Sequence, residues 1–395
     1  MDEIEDGLVV EHERIQPVTY CVEWCPAMLR DAAVNLIDIS LSLLEKDCLL
    51  QDAYPWNTIF RDGRPVFVDF TSIARIPTNL IWPAYDQFLS FFQRPLQLGQ
   101  MGKGKLARSL LFDNIAGVSR QEQYLHLSFG YKMTHPLTVL DHHLDDFVQK
   151  HGNLKKKIKK KAASIKTNIT REMREHFFKR LKARLETYKF PIESDLWVAY
   201  YDGIPKDVKK EHKIHLIEKM IQQLAPKTVT DLGCNTGVFS IIAAECGSDV
   251  ISIDASESCI HALYQEGRKE KLKIVPIVSN VLCPTPPFGF LGKQYSSLVE
   301  RSTSDLVLCL GLMHHLHIAG RQSFDRLASM LNQWSKKWLI FEFVAMDDDN
   351  NDLISVGRDI GYTLESVIDA LHRYFPKIEV FDSDRPTRRL LLCAK

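Results

Sequence analysis

The stretch Thr228-Val-Thr-Asp-Leu-Gly-Cys-Asn-Thr-Gly-Val-Phe-Ser240, followed by Val250-Ile-Ser-Ile-Asp254, constrains this chain more than any other. An apolar run, a glycine turn, a helix-forming segment and a second apolar run ending in an acid make the pattern of a nucleotide-binding βαβ unit. Gly233 and Gly237 let the chain reverse from a buried strand into a helix, with no Cβ to obstruct a ligand at the helix N-terminus. Asp254 follows Asp231 by 23 residues, at a distance from which a carboxylate accepts the hydroxyls of a ribose.

The turn reads Asp-x-Gly-x-x-x-Gly, not the Gly-x-Gly-x-x-Gly that brings three glycines to a pyrophosphate. A carboxylate at the strand end repels a pyrophosphate and suits a cation such as an ammonium or a sulfonium. In this form the segment resembles the first two motifs of the class I S-adenosylmethionine-dependent methyltransferases. The resemblance implies S-adenosyl-L-methionine as cofactor, with Asp231, Gly233, Cys234, Asn235, Gly237, Asp254 and Ala255 around it. Asn280 stands after the third strand, where relatives commonly place an acid near the adenine. Tyr201, in Trp197-Val-Ala-Tyr-Tyr201, resembles a family segment that could fold over the cofactor; an aromatic cluster at a domain junction also fits plain packing.

Apolar runs at Thr228–Leu232, Val250–Ile253, Ile274–Val278, Leu306–Leu310 and Leu339–Val344 alternate with helical segments, which predicts parallel strands buried on both faces. Two final runs, Lys377–Phe381 and Arg389–Cys393, are joined too tightly for a parallel pair and must form an antiparallel hairpin. The expected fold is therefore α/β, a Rossmann-like seven-stranded methyltransferase sheet with an antiparallel C-terminal hairpin, preceded by a mostly helical α+β domain. The wording around the core, including Pro284-Thr-Pro-Pro-Phe-Gly289, Glu300-Arg301, Asp305 to Leu316 and Phe341-Glu-Phe-Val344, resembles the NoeA-related nodulation-protein methyltransferases. That likeness continues into the N-terminal half, through Glu23-Trp24, Asp52-Ala-Tyr-Pro-Trp-Asn57 and Trp82-Pro-Ala-Tyr-Asp-Gln-Phe88.

At 395 residues the chain exceeds the roughly 250–300 at which one core stops growing, so two domains are expected. We expect an accessory domain over 1–150, a basic helical linker over 151–205 and the methyltransferase domain over 206–395. Fifty Lys and Arg balance fifty Asp and Glu, which gives no global attraction to nucleic acid or membrane. Without a long apolar run or a basic start, a cytoplasmic protein that meets no membrane is expected. Nine cysteines, several in the core pattern, predict reduced thiols. The run Lys155-Lys-Lys-Ile-Lys-Lys-Lys161 could bind RNA, but no aromatic residues interleave it and a solvated linker is the expected reading.

A second pattern lies in the N-terminal half. Asp52, Asn57 and Asp69 have the spacing of the catalytic loop and metal-binding acid of kinase-like phosphotransferases, which they resemble. Leu50 replaces the expected histidine, and only about fifty residues with a single glycine, Gly7, precede the loop. The expectation is a degenerate kinase C-lobe-like scaffold without phosphoryl transfer and without a metal site, available to a protein partner.

Methyl transfer asks the protein to align an acceptor with the sulfonium and, for an alcohol, to remove a proton. His314 and His315, after the fourth strand, and Glu342, in the fifth, are the candidate catalytic residues. The loop from Pro284 to Phe290 is a candidate wall of the acceptor pocket. A small-molecule or glycan hydroxyl is the expected acceptor; a non-catalytic binding protein in a biosynthetic complex and an RNA methyltransferase are the alternatives.

Overall fold

The computed structural model describes residues 11–77, 80–151, 169–191, 208–348 and 361–395. Its C-terminal half is built on a seven-stranded sheet of β5 (Thr228–Leu232), β6 (Asp249–Asp254), β7 (Ile274–Val278), β8 (Ser304–Cys309), β9 (Ser335–Val344), β10 (Lys377–Asp382) and β11 (Arg388–Ala394). In space the order is β10-β11-β9-β8-β5-β6-β7. Pairs among β5 to β9 are parallel, while β11 runs antiparallel to both β9 and β10. Every residue of β7 and β8 is buried, as strands covered by helices on both faces require. The edge strand β10 is half exposed and carries Lys377, Glu379 and Asp382, charges that discourage pairing with a further strand.

The strand order reverses beside β5: the chain runs outward through β6 and β7 and then crosses to β8 on the other side. That switch point, at the carboxyl ends of β5 and β8, is where α/β sheets bind ligands.

In the N-terminal half the helix Pro26–Leu44 begins at a proline, which fits the first helical turn, and buries Met28, Ala32, Leu36 and Ile37. A hairpin of β2 (Thr58–Arg61) and β3 (Arg64–Phe67) turns through Asp62 and Gly63, both at positive φ. Two short strands, β1 (Cys48–Leu50) and β4 (Ile73–Arg75), pair antiparallel beside it. The helix Arg171–Glu186, expected as part of a solvated linker, packs on this half instead. Phe178 and Leu185 are fully buried, and Trp82 meets Phe178 edge-on at 5.2 Å. Arg174, 3% exposed, donates to the carbonyls of Pro77 at 2.6 Å and Leu80 at 2.9 Å, so part of the basic stretch holds backbone rather than facing water.

The two halves share a polar, buried contact. Arg301, after β7, pairs with Glu23 at 2.5 Å, with side chains 6% and 0% exposed, and its guanidinium lies 4.1 Å over the Tyr20 ring. Asp31 of the first helix accepts from Tyr264 at 2.7 Å and pairs with Arg268, both on the helix Glu257–Glu270. Arg108 pairs with Glu257 on that same helix. A buried ion pair contributes little net stability, but breaking one leaves an uncompensated charge, so these contacts fix one docking geometry.

The loop from Pro284 to Phe290, expected as a wall of the acceptor pocket, joins this contact. Phe288 packs on Tyr20 and Phe112 of the N-terminal half, with ring centroids 5.5 and 5.6 Å apart, because aromatic area is buried there. All nine cysteines are free thiols. Among the described residues no helix is long and apolar enough to cross a membrane.

Candidate active site

The turn after β5 takes its shape from three left-handed residues, Gly233 at φ +71°, Asn235 at +53° and Gly237 at +87°. A Cβ on Gly237 would stand 2.3 Å from Leu263 Cδ1, and one on Gly233 3.1 Å from Leu312 Cδ1. The glycines thus serve the turn and the close approach of neighbouring elements, rather than clearing space for the ligand directly. The amides of Gly233 and Cys234 donate to the Ile253 carbonyl at 2.8 and 3.1 Å, which ties the turn to the end of β6.

Asp254 is half-buried at that end. Its Oδ2 accepts the Asn235 amide and its Oδ1 the Ser256 amide, each at 2.8 Å, so backbone donors orient the carboxylate. Ala255 beside it is exposed. Cys234 is buried, and burial pushes its thiol well above the ordinary value.

Asp231 was expected against the cofactor, but lies beneath the turn, 2% exposed. It accepts from Ser240 Oγ at 2.7 Å, and Ser240 in turn accepts from Ser252 at 2.7 Å. Burial raises its pKa to about 7, with Asp254 adding to the rise and Ser240 and Lys213 opposing it. Asn280 is exposed after β7, and its Oδ1, the expected partner of the adenine, already accepts the Leu282 amide at 2.9 Å. Tyr201, with Trp197 and Tyr200, lies outside the described residues. The residues present fit a nucleoside-bearing cofactor: an oriented carboxylate at the end of β6 beside a left-handed glycine turn is the kind of acceptor that ribose hydroxyls donate to.

Across the switch point the edge of β8 and β9 is different. Glu342, 1% exposed, pairs with Lys213 at 2.6 Å and accepts from Ser383 at 3.0 Å. It is a neutralised structural carboxylate, which corrects its expected role as a free base. Asp348 is likewise held by Arg388 through Nε at 2.8 Å and Nη2 at 2.9 Å. His314 is buried, and its pKa falls to about 3 through burial first, then through His315 and Arg388. Such a ring stays neutral and is a weak base. His315 is half-buried with its pKa also lowered by burial, so it is neutral near pH 7 and the better of the two expected bases.

Sequence reasoning missed two neighbours. Residues His315–Ala319 form a single π-helical turn, a geometry frequent at functional sites, closed by the Gly320 amide on the His315 carbonyl at 2.9 Å. It carries His317 into a stack with Phe324 at 4.0 Å, and Tyr362 lies 5.7 Å from His317 while stacking on Phe343 of β9. The signal was faint: a third histidine two residues after an adjacent pair, and a tyrosine far along the chain.

In the N-terminal half Asn57 and Asp69 do meet, Nδ2 to Oδ2 at 2.8 Å, and Asp69 Oδ1 also accepts from Thr71 N at 3.1 Å and Oγ1 at 2.6 Å. Asp52 is exposed, its amide bonded to Ser72 Oγ at 3.0 Å. Among the described residues no three His, Cys, Asp or Glu side chains gather as a metal site. The Lys155–Lys161 run lies outside the described residues.

Residues 208–383 match the family model described as a methyltransferase domain. Over 363 residues the chain is 25% identical to the nodulation protein NoeA of Rhizobium meliloti (strain 1021), covering 89% of this chain and 74% of that protein. Similar solved structures include magnesium protoporphyrin IX methyltransferase from Synechocystis PCC 6803 with bound SAH, 15% identical, covering 48% of this chain and 84% of that one at a TM-score of 0.34. Another is the N-methyltransferase NodS from Bradyrhizobium japonicum WM9, 12% identical, covering 49% and 99% at a TM-score of 0.37. The family match spans the strands from β5 to β10 and the glycine turn described above, with Asp254 at the end of its second strand. The C-terminal half of this chain is a class I S-adenosylmethionine-dependent methyltransferase domain.

Proposed function

We propose that the chain transfers the cofactor's methyl group to a hydroxyl of a small molecule or glycan. The observation that carries this reading is the neutrality of the acceptor edge. Its two buried carboxylates, Glu342 and Asp348, are already paired with Lys213 and Arg388, and the histidines beside them are held uncharged by burial. An amine would find no free anion there to hold its ammonium form and would have to lose a proton before reacting, whereas an alcohol brings no charge into a low-dielectric site. Likeness to a nodulation protein is the reason for including glycans.

S-adenosylmethionine supplies an activated methyl on a positively charged sulfur. The protein's part is to hold the ribose at Asp254, place the acceptor over β8 and β9, and take the hydroxyl proton; His315 is the residue proposed to accept it. The Asp231, Ser240, Ser252 chain keeps the turn in register from below. The N-terminal half is an accessory scaffold in this reading, with Asp69 saturated by Asn57 and Thr71.

Calorimetric titration of S-adenosylmethionine, followed by screening of sugars and amines for S-adenosylhomocysteine release, tests the proposal. Binding with turnover of alcohols is expected. Binding with turnover of amines alone would reverse the acceptor class, and no binding to the folded protein would refute the enzyme reading.

A further inference from the structure

A buried polar atom without a partner costs free energy, so native proteins leave few of them and those few need a reason. On the carboxyl edge of β8 and β9 three occur together: His314 Nδ1, His317 Nε2 and the Tyr362 hydroxyl. The cofactor side of the same edge is the contrast, with Ser252, Ser240, Asp231 and Asp254 all hydrogen-bonded.

The chemistry of the His317 and Tyr362 atoms is fixed by what surrounds them. His317 Nδ1 lies 2.7 Å from the Gln322 carbonyl, which can only accept, so Nδ1 carries the ring's proton and neutral Nε2 presents a lone pair. Its ring is clamped against Phe324, with planes 10° apart, and cannot turn away without losing that stack. Tyr362 is 5% exposed, stacked on Phe343 with centroids 5.0 Å apart, and its hydroxyl lies near the Val344 backbone without hydrogen-bond geometry. One acceptor and one hydroxyl thus stand, both buried and unpartnered, on neighbouring rings whose centroids are 5.7 Å apart.

We infer that His317 Nε2 and the Tyr362 hydroxyl together receive one hydroxyl of the methyl acceptor, which donates to the imidazole and accepts from the phenol. The inference rests on the proposed methyltransferase reading and narrows it. An alcohol has one donor and two lone pairs and satisfies both partners without bringing charge. An amine is an ammonium near neutral pH, has only donors in that form, and must shed a proton before it can accept from the phenol or react, with Glu342 and Asp348 already paired. Both residues touch the acceptor and neither touches the ribose site, so they set which acceptor is taken and leave cofactor binding alone.

The test uses Tyr362→Phe, which removes only the hydroxyl, and His317→Asn, whose amide can still donate to Gln322 while Nε2 is lost. Calorimetry with S-adenosylmethionine should give affinities within about twofold of the parent. Thermal melting should show Tm unchanged or raised by about 1–3 °C, because an unpartnered buried hydroxyl is removed. With labelled cofactor and a panel of methyl hexopyranosides, kcat/KM on the best sugar should fall at least tenfold in each variant. A lower Tm for Tyr362→Phe would mean that the hydroxyl serves the fold and would overturn the inference, as would kcat/KM within twofold of the parent. Turnover of a parallel amine panel but of no sugar would refute the hydroxyl acceptor, even where both variants still lose activity. If neither panel is methylated, the acceptor class falls and the melting result decides the pair.

Discussion

The two sides of the switch point are made from the same parts and finished differently. On the β5 and β6 side every polar side chain that the turn depends on has its partner, and the partners are mostly backbone: Asn235 and Ser256 amides on Asp254, Ile253 on the glycine turn. On the β8 and β9 side the carboxylates are silenced by Lys213 and Arg388, while His314, His317 and Tyr362 keep open valences. In the proposed reading, a cofactor shared by many enzymes is met by a self-satisfied backbone frame, and an acceptor particular to one enzyme by side chains that the fold leaves unsatisfied.

The largest effect should come from the seam between the two sides. Lys213→Ala would leave Glu342 buried and unpaired at 1% exposure, and breaking such a pair costs about 3–5 kcal/mol. Chemical denaturation should show that loss, and Lys213→Ala with Glu342→Gln should recover much of it. If the single substitution costs less than about 1 kcal/mol, Glu342 is not held as a structural ion and returns as a candidate base.

Beneath the cofactor turn, Asp231 has a folded pKa raised to about 7 from the 3.8 of an exposed carboxyl. Its protonated form is favoured in the fold, so its contribution is complete below pH 3.8 and is lost as pH rises towards 7. Asp231→Asn, which keeps an acceptor for Ser240, should therefore gain on the parent with rising pH, by on the order of 4 kcal/mol at pH 8. Parallel stability curves for the two proteins from pH 4 to 8 would contradict this.

Asp254→Ala separates frame from ligand. It should weaken S-adenosylmethionine by about 1.5–3 kcal/mol through lost charge-assisted hydrogen bonds, measured by calorimetry on protein with a native circular dichroism spectrum. Unchanged affinity would remove the ribose from β6.

The smallest effect belongs to the acceptor side. His314 is held neutral to about pH 3, while an unfolded histidine takes its proton near 6.5. The stability it contributes is complete above pH 6.5 and is lost as pH falls towards 3, about 2 kcal/mol by pH 5. His314→Phe should flatten that slope with little change at pH 8. A slope that survives the substitution assigns acid sensitivity elsewhere.

How much of this was legible in the chain differs between the two sides for the same reason. Strands β5, β6 and β7 and the hairpin of β10 and β11 follow from apolar runs and spacing, because a parallel strand buried on both faces has little choice of residue. The glycine turn was legible because left-handed backbone leaves its mark locally, although the bodies that Gly237 and Gly233 make room for, Leu263 of a helix and Leu312 of the loop after β8, come from elsewhere in the chain. Asp231 and Asp254 look alike as strand-end acids. Only packing shows that one is under the turn and the other beside it. His317 and Tyr362 are forty-five residues apart and meet because Phe324 and Phe343 hold them, a juxtaposition without a local pattern.

By itself, then, the sequence determined the class of fold, the order and burial of its core strands, and the presence of a nucleotide-binding turn with an acid at the second strand end. These are properties of hydrophobic period, glycine placement and short spacing, all set within a few residues of one another. The tertiary structure decided which carboxylates are ionic and paired, where the Pro284 loop and the Arg171–Glu186 helix pack, and which polar atoms remain open. Those are settled by desolvation and by contacts between residues far apart in the chain, and neither is written in the neighbourhood of any single residue.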